Sequence, residues 1–145
     1  MKKSFYTLVF CLFSFATFAQ NMSENAIGVR FSENSGVGAE ISYQRALSGS
    51  NRLEANLGIR SGTVKLTGLY EWVWKLDGSF NWYVGAGGGL GNLNDSVSIF
   101  GAGVVGVEYD FEIPLQLAFD FRPELYFSGG DGLDSDFGLA VRYQF

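Results

Sequence analysis

The residues LQLAFDFRPELYF (115–127) decide how this chain folds. Leu115, Leu117, Phe119 and Phe121 occupy odd positions, whereas Asp120, Arg122 and Glu124 occupy even ones. A period of two is the signature of a β-strand, whose successive side chains point to opposite faces; an amphipathic helix would repeat every 3.6 residues. This strand is therefore apolar on one face and ionised on the other. The pattern spreads outward from it. Downstream, FGLAVRYQF (137–145) alternates Phe137, Leu139, Val141, Tyr143 and Phe145 with small or charged residues; upstream, Val105, Val107, Tyr109 and Phe111 alternate around Glu108.

Followed along the chain, the alternation predicts eight strands at 26–31, 37–45, 52–60, 63–75, 79–91, 96–111, 115–127 and 137–145. The segments between them, 32–36, 46–51, 61–62, 77–78, 92–95, 112–114 and 128–136, are rich in Gly, Asn, Asp, Ser or Pro, which supply positive φ, local side-chain hydrogen bonds or a fixed φ. Such short joints make neighbouring strands antiparallel. The expected fold is all-β, an eight-stranded antiparallel up-and-down barrel with almost no helix.

Composition narrows the class. The chain has 145 residues, one domain's worth, with 10 Lys+Arg, 15 Asp+Glu and no His. A net charge of −5 without a basic cluster gives no footprint for nucleic acid, and the absence of histidine excludes His-based zinc or triad chemistry. Charged residues are only 17 %, low for a soluble surface, yet mean hydropathy is +0.10. Beyond the N-terminus no apolar run approaches the roughly 18 residues of a spanning helix. A barrel in lipid reconciles these values.

The N-terminus reads as an address. Lys2 and Lys3 precede the apolar stretch SFYTLVFCLFSFATF (4–18), and Ala19 offers a small-residue cleavage site. Residues 1–19 are expected to be a signal peptide and 20–145 the barrel domain. Cleavage would remove Cys11, leaving neither a disulfide nor a thiol; Phe10 before that cysteine argues against a lipid anchor.

Alternation does not itself say which face is inside. The charged face carries Arg30, Glu40, Glu54, Arg60, Lys65, Glu71, Glu108, Asp120, Arg122, Glu124 and Arg142, with the small residues Gly85, Gly87, Gly89, Gly138 and Ala140. The other face is bulky and uncharged, from Val37, Ile41 and Tyr43 to Val141 and Tyr143. A soluble ligand-carrying barrel would line its lumen with the large apolar groups and put charges outside. In lipid, each outward Arg or Lys at the midplane would cost about 2–4 kcal/mol, so the charges must turn inward. An eight-stranded barrel is only wide enough for side chains to fill, so these groups are expected to pair as an internal network. Arg122 and Arg142 are expected nearest Glu124, Asp120 and Glu108.

The strand ends supply an independent check. With the mature N-terminus in the periplasm, Tyr43, Trp72, Trp74, Phe80, Trp82, Tyr109, Phe111, Tyr143 and Phe145 all fall at the periplasmic rim, forming an aromatic girdle; Phe31, Phe127 and Phe137 are candidates for a thinner one opposite.

On these features the chain resembles the small outer-membrane β-barrel proteins of Gram-negative bacteria, the OmpA/OmpX-type eight-stranded class. The closing FGLAVRYQF (137–145) resembles the C-terminal insertion signal of that class, with Val141, Tyr143 and Phe145 at alternate positions. Tyr70-Glu71-Trp72, NWYVG (81–85), GVEY (106–109) and LAFDFRP (117–123) are similar to segments of small barrels of this type, and the likeness covers the whole mature chain. It implies export, outer-membrane lipid as the surrounding partner, and insertion by the barrel-assembly machinery acting on the last strand.

Other candidate chemistry is weaker. GAGVVG (101–106) matches G-x-G-x-x-G, but the dinucleotide fingerprint needs a helix next, whereas Val107, Tyr109 and Phe111 continue a strand. Asp131, Asp134 and Asp136 share the longest loop, without the spacing or distal Glu of an EF-hand, and read as solvated. Paired carboxylates suggest hydrolysis, as in outer-membrane lipases or acyl transferases, but those need a nucleophile with an activating base, and the chain has no His. The expected role is a non-catalytic, cofactor-free envelope protein, most simply a monomer. A ligand- or cell-binding barrel acting through its outer loops, a small solute or ion channel, and a soluble periplasmic barrel are the alternatives.

Overall fold

The structure is a computed structural model that describes residues 22–33, 37–93, 95–128 and 132–145. The expected leader at 1–19 with its Cys11, and Asp131, lie outside the described residues. The described chain forms eight strands: β1 (Asn25–Ser32), β2 (Ala39–Ala46), β3 (Asn51–Arg60), β4 (Thr63–Asp77), β5 (Phe80–Leu93), β6 (Ser96–Asp110), β7 (Leu115–Ser128) and β8 (Leu133–Gln144). Each pairs antiparallel with the next, and β1 closes on β8 from Ala26↔Gln144 to Ser32↔Gly138. Closure leaves no strand edge, so the ladders themselves satisfy the backbone N–H and C=O groups.

Turn chemistry sets the register. Ser61 and Gly62 have φ of 48° and 82°, the two consecutive positive values that a two-residue hairpin between right-twisted strands demands. Pro123 lacks an N–H, and pairing of β7 with β6 lapses there, between Ala102↔Glu124 and Val105↔Phe121.

Apolar side chains face out and ionised ones face in. Trp72, Phe119 and Val141 are 41, 52 and 38 % exposed, whereas Glu71 and Arg122 are 0 and 1 % exposed. The interior is not uniformly polar: Leu69, Val73, Tyr83, Phe100, Ala102 and Val104 from β4, β5 and β6 form an apolar cluster with Ala118 and Ala140. Inward glycines make room for bulk opposite them. A Cβ at Gly106 would sit 2.5 Å from the Tyr83 ring, and one at Gly138 would sit 2.3 Å from the Arg30 guanidinium.

Two sequence expectations are corrected. The last strand starts at Leu133 rather than 137, because Leu125↔Leu133, Pro123↔Ser135 and Arg122↔Asp136 are paired residues of the ladder. Val37, assigned to the outward face, is 4 % exposed and packs where a Gly58 side chain would be. The positive φ of Gly38, 79°, breaks the alternation just before β2 and turns Val37 into the mouth of the barrel.

Candidate functional site

The site that the fold builds is the charged lumen. Arg30 on β1 is fully buried and gathers carboxylates from three other strands: Asp120 on β7 at 2.6 Å, Asp136 on β8 at 2.9 Å and Glu40 on β2 at 3.1 Å. Its Nε also donates to both Asp120 oxygens at 3.2 Å. Arg122 spans from Asp120 at 3.5 Å to Glu54 at 3.0 Å. Arg142 approaches Glu54 at 3.2 Å and donates to Ser42 Oγ at 2.9 Å and Gln116 Oε1 at 3.0 Å. Gln44 and Asn56 each donate to Glu54 at 2.8 Å.

Towards the end of the barrel where β1 begins and β8 ends, Arg52 makes a two-bond fork to Glu108 at 2.8 and 3.0 Å and a third bond to Glu71 at 2.6 Å, while its guanidinium lies 4.8 Å from the centre of the Tyr83 ring. Towards the other end, Lys65 holds Glu124 at 2.8 Å and lies 5.0 Å from the Phe100 ring centre, and the Tyr126 hydroxyl donates to Glu124 at 2.8 Å. Such forks are directional and charge-assisted, and arginine's planar geometry suits burial. A buried ion left unpaired would cost several kcal/mol, which explains why the cations extend to carboxylates across the lumen.

Ten of the residues assigned from sequence, Arg30, Glu40, Glu54, Lys65, Glu71, Glu108, Asp120, Arg122, Glu124 and Arg142, are thus buried inside. Arg60 is corrected. It keeps inward parity on β3, but it is the last residue before the Ser61-Gly62 turn and is exposed at the rim beside Gly38. Arg52 and Asp136 were missed. Arg52 shares the face of Glu54 and Asn56, so parity alone would have found it. Asp136 was read as loop, whereas it lies on β8 in phase with Gly138 and Ala140. Among the described residues, five cations and seven carboxylates are buried. Of the expected pairings, Arg122 with Asp120 is present at 3.5 Å and the rest are corrected: Arg122 and Arg142 converge on Glu54 across the lumen, while Glu108 and Glu124 pair with Arg52 and Lys65.

Among the described residues, Asp134 and Asp136 of the acidic segment do not gather. Asp136 turns in to Arg30, and Asp134 stays exposed, accepting from the Ser135 N–H. The glycine motif at 101–106 is barrel wall within β6.

On the outer face, Tyr43, Trp72, Trp74, Phe80, Trp82, Tyr109, Phe111 and Tyr143 lie towards the end where β1 begins and β8 ends, at least partly exposed. Trp74 and Trp82 stack at 4.6 Å, Phe80 meets Tyr109 edge-on at 4.8 Å, and Tyr109 meets Phe111 in the same way at 4.8 Å. Tyr43 and Tyr143 flank Ile27 in register. Val141, Tyr143 and Phe145 all face outward, and Phe145 exchanges two main-chain hydrogen bonds with Asn25.

This architecture is that of the eight-stranded transmembrane β-barrels. Similar solved structures include a de novo designed transmembrane β-barrel (TM-score 0.66, 16 % identity, covering 88 % of this chain and 100 % of that one). Neisserial surface protein A is another (TM-score 0.57, 15 % identity, covering 83 % and 94 %). So is Ail, the attachment invasion locus protein of Yersinia pestis (TM-score 0.54, 13 % identity, covering 87 % and 99 %). At these identities the shared property is the fold. No protein-family model matches the chain and no curated protein matches it in sequence.

Proposed function

We propose that this chain is an integral outer-membrane barrel protein with a non-catalytic, structural role in the envelope. In this reading residues 1–19 direct export, the barrel-assembly machinery engages the last strand through Val141, Tyr143 and Phe145, and the barrel works as a monomer surrounded by lipid. The aromatic belt then marks the periplasmic interface. The carrying observation is the lumen: ion pairs made by Arg30, Arg52, Lys65, Arg122 and Arg142 cross it, in a barrel whose outer wall is apolar. A lumen crossed in this way supports packing rather than conduction, and a sequence without histidine supports a role other than acid–base catalysis.

Envelope fractionation with and without boiling tests the location. The folded barrel should sediment with the outer membrane and migrate differently when unheated; a soluble, heat-independent species would refute the reading. Planar-bilayer recording tests the lumen. Silence is expected, and reproducible unitary steps would favour a channel instead.

A further inference from the structure

We propose that residues 22–24, just before β1, are a built-in plug for the lumen, with the Met22 side chain shielding the lowest interior ion pair from water. Several contacts fix residues 24 and 25 at the rim. The Ala46 N–H donates to the Glu24 carbonyl at 2.9 Å, and Asn25 and Phe145 exchange main-chain bonds of 3.0 and 2.9 Å. Asn25 Oδ1 accepts from the Tyr43 hydroxyl at 2.5 Å and from Arg45 at 3.1 Å, and Arg45 pairs with Glu24 at 3.0 Å. Met22 packs, partly buried, against the interior apolar cluster. Met22 and Ser23 line one small pocket together with Ala26, Arg52, Glu108 and Asp110.

The chemistry suits a cork. Methionine is unbranched and polarisable and fills an irregular gap without demanding a unique shape. Beneath it, the Arg52–Glu108 fork gains strength from being dry, because the same charges attract more strongly at low dielectric. The arrangement needs no particular membrane around it, so its test is run on the purified barrel in detergent micelles and stands apart from the test of location.

The probe is a charged, water-soluble methanethiosulfonate acting on an Ala26→Cys reporter in the exported full chain carrying C11S. Ala26 is 4 % exposed and shares the pocket with Met22. Adding Met22→Ser should raise the labelling rate about tenfold, as expected when a half-buried methionine's apolar contribution is lost, and Met22→Leu should not. A Ser98→Cys reporter, 0 % exposed and outside both that pocket and the apolar cluster, should stay slow in both backgrounds, with unboiled gel mobility unchanged. Equal A26C labelling with and without M22S would overturn the plug, and so would S98C accelerating in parallel, which would mean general loosening.

Discussion

Replacing Arg30 by methionine removes the guanidinium that holds Asp120, Asp136 and Glu40 at 2.6, 2.9 and 3.1 Å, while leaving an apolar stem of similar length. Breaking one buried pair by deleting a partner costs about 3–5 kcal/mol, because the remaining charge stays buried. Here three carboxylates are deprived at once, and Asp120 retains Arg122 at 3.5 Å. The loss should therefore reach at least that range, a large share of the roughly 5–15 kcal/mol by which folded domains are stable. Urea unfolding in micelles, followed through Trp72, Trp74 and Trp82, measures it; all three indoles lie on the outer wall and report global rather than local change. Arg60→Met is the matched control, because that arginine is exposed at the rim, and its effect should stay within about 0.5 kcal/mol. Combining Arg30→Met with Glu40→Gln should recover part of the loss, since a carboxylate that has lost its ion pair to Arg30 is neutralised. If Arg30→Met came within about 1 kcal/mol of Arg60→Met, the lumen charges would be water-solvated and the idea of a closed paired interior would fail.

Three further outcomes are expected. Phe121→Arg places a cation on the lipid-facing wall midway along β7 and should cost about 2–4 kcal/mol in bilayers, whereas Val97→Arg near the loop end of β6 should cost about 0–1 kcal/mol; equal penalties would contradict the assigned lipid face. Gly138→Val drives a side chain against the Arg30 guanidinium and should destabilise by about 1–3 kcal/mol, while Gly68→Val, where a Cβ meets nothing within 4 Å, should be nearly neutral on the same unfolding assay. Trp74→Ala removes a ring stacked at 4.6 Å on Trp82 and should lower stability by roughly 0.5–1.5 kcal/mol beyond the lost area, with a double-mutant cycle against Trp82→Ala isolating the coupling.

Much of this architecture is legible because a one-residue slip in a strand exchanges the two faces completely. Leu117, Phe119 and Phe121 against Asp120 and Arg122 leave no ambiguity of phase, so strand number, pairing order and the inward position of most charges follow from parity. What parity lacks is the end of each strand. Arg60 has the correct phase but sits where the chain leaves the wall, and Asp136 looks like loop because Asp and Ser are poor strand formers; its bond to Arg30 is a tertiary reason that local composition does not carry. Val37 shows the complementary failure, since one glycine with positive φ reverses the phase. Partner choice was equally hidden. The sequence places Arg122 and Arg142 nearest Glu124, Asp120 and Glu108, but long side chains in a narrow lumen reach across it, and Glu54 on β3 receives cations from β7 and β8.

The distribution of these pairs bears on how the barrel closes. Arg30 stands on the first strand, and its partners stand on β2, β7 and β8, so the bonds to Asp120 and Asp136 join residues 90 and 106 positions apart. Neither can form until β1 meets β8. Before that meeting, the ordering of the intervening loop has been paid for with no ionic return, since long closures cost entropy ahead of the contacts that reward them. After it, one guanidinium fastens three strands around the seam, next to the seven residue pairs of the β1–β8 ladder. Pairs such as Arg52 with Glu71, on adjacent strands β3 and β4, can instead form within a hairpin. The interior charges therefore divide by role: the hairpin pairs Arg52–Glu71 and Arg30–Glu40 are compatible with an open sheet, while those of Arg30 with Asp120 and Asp136 require a closed one. A sheet that closed two residues out of register would bury Arg30 opposite Gly138 or Arg142 instead of Ala140 and away from its carboxylates, at a cost of several kcal/mol, and the seam is thereby specified by charge as well as by its ladder.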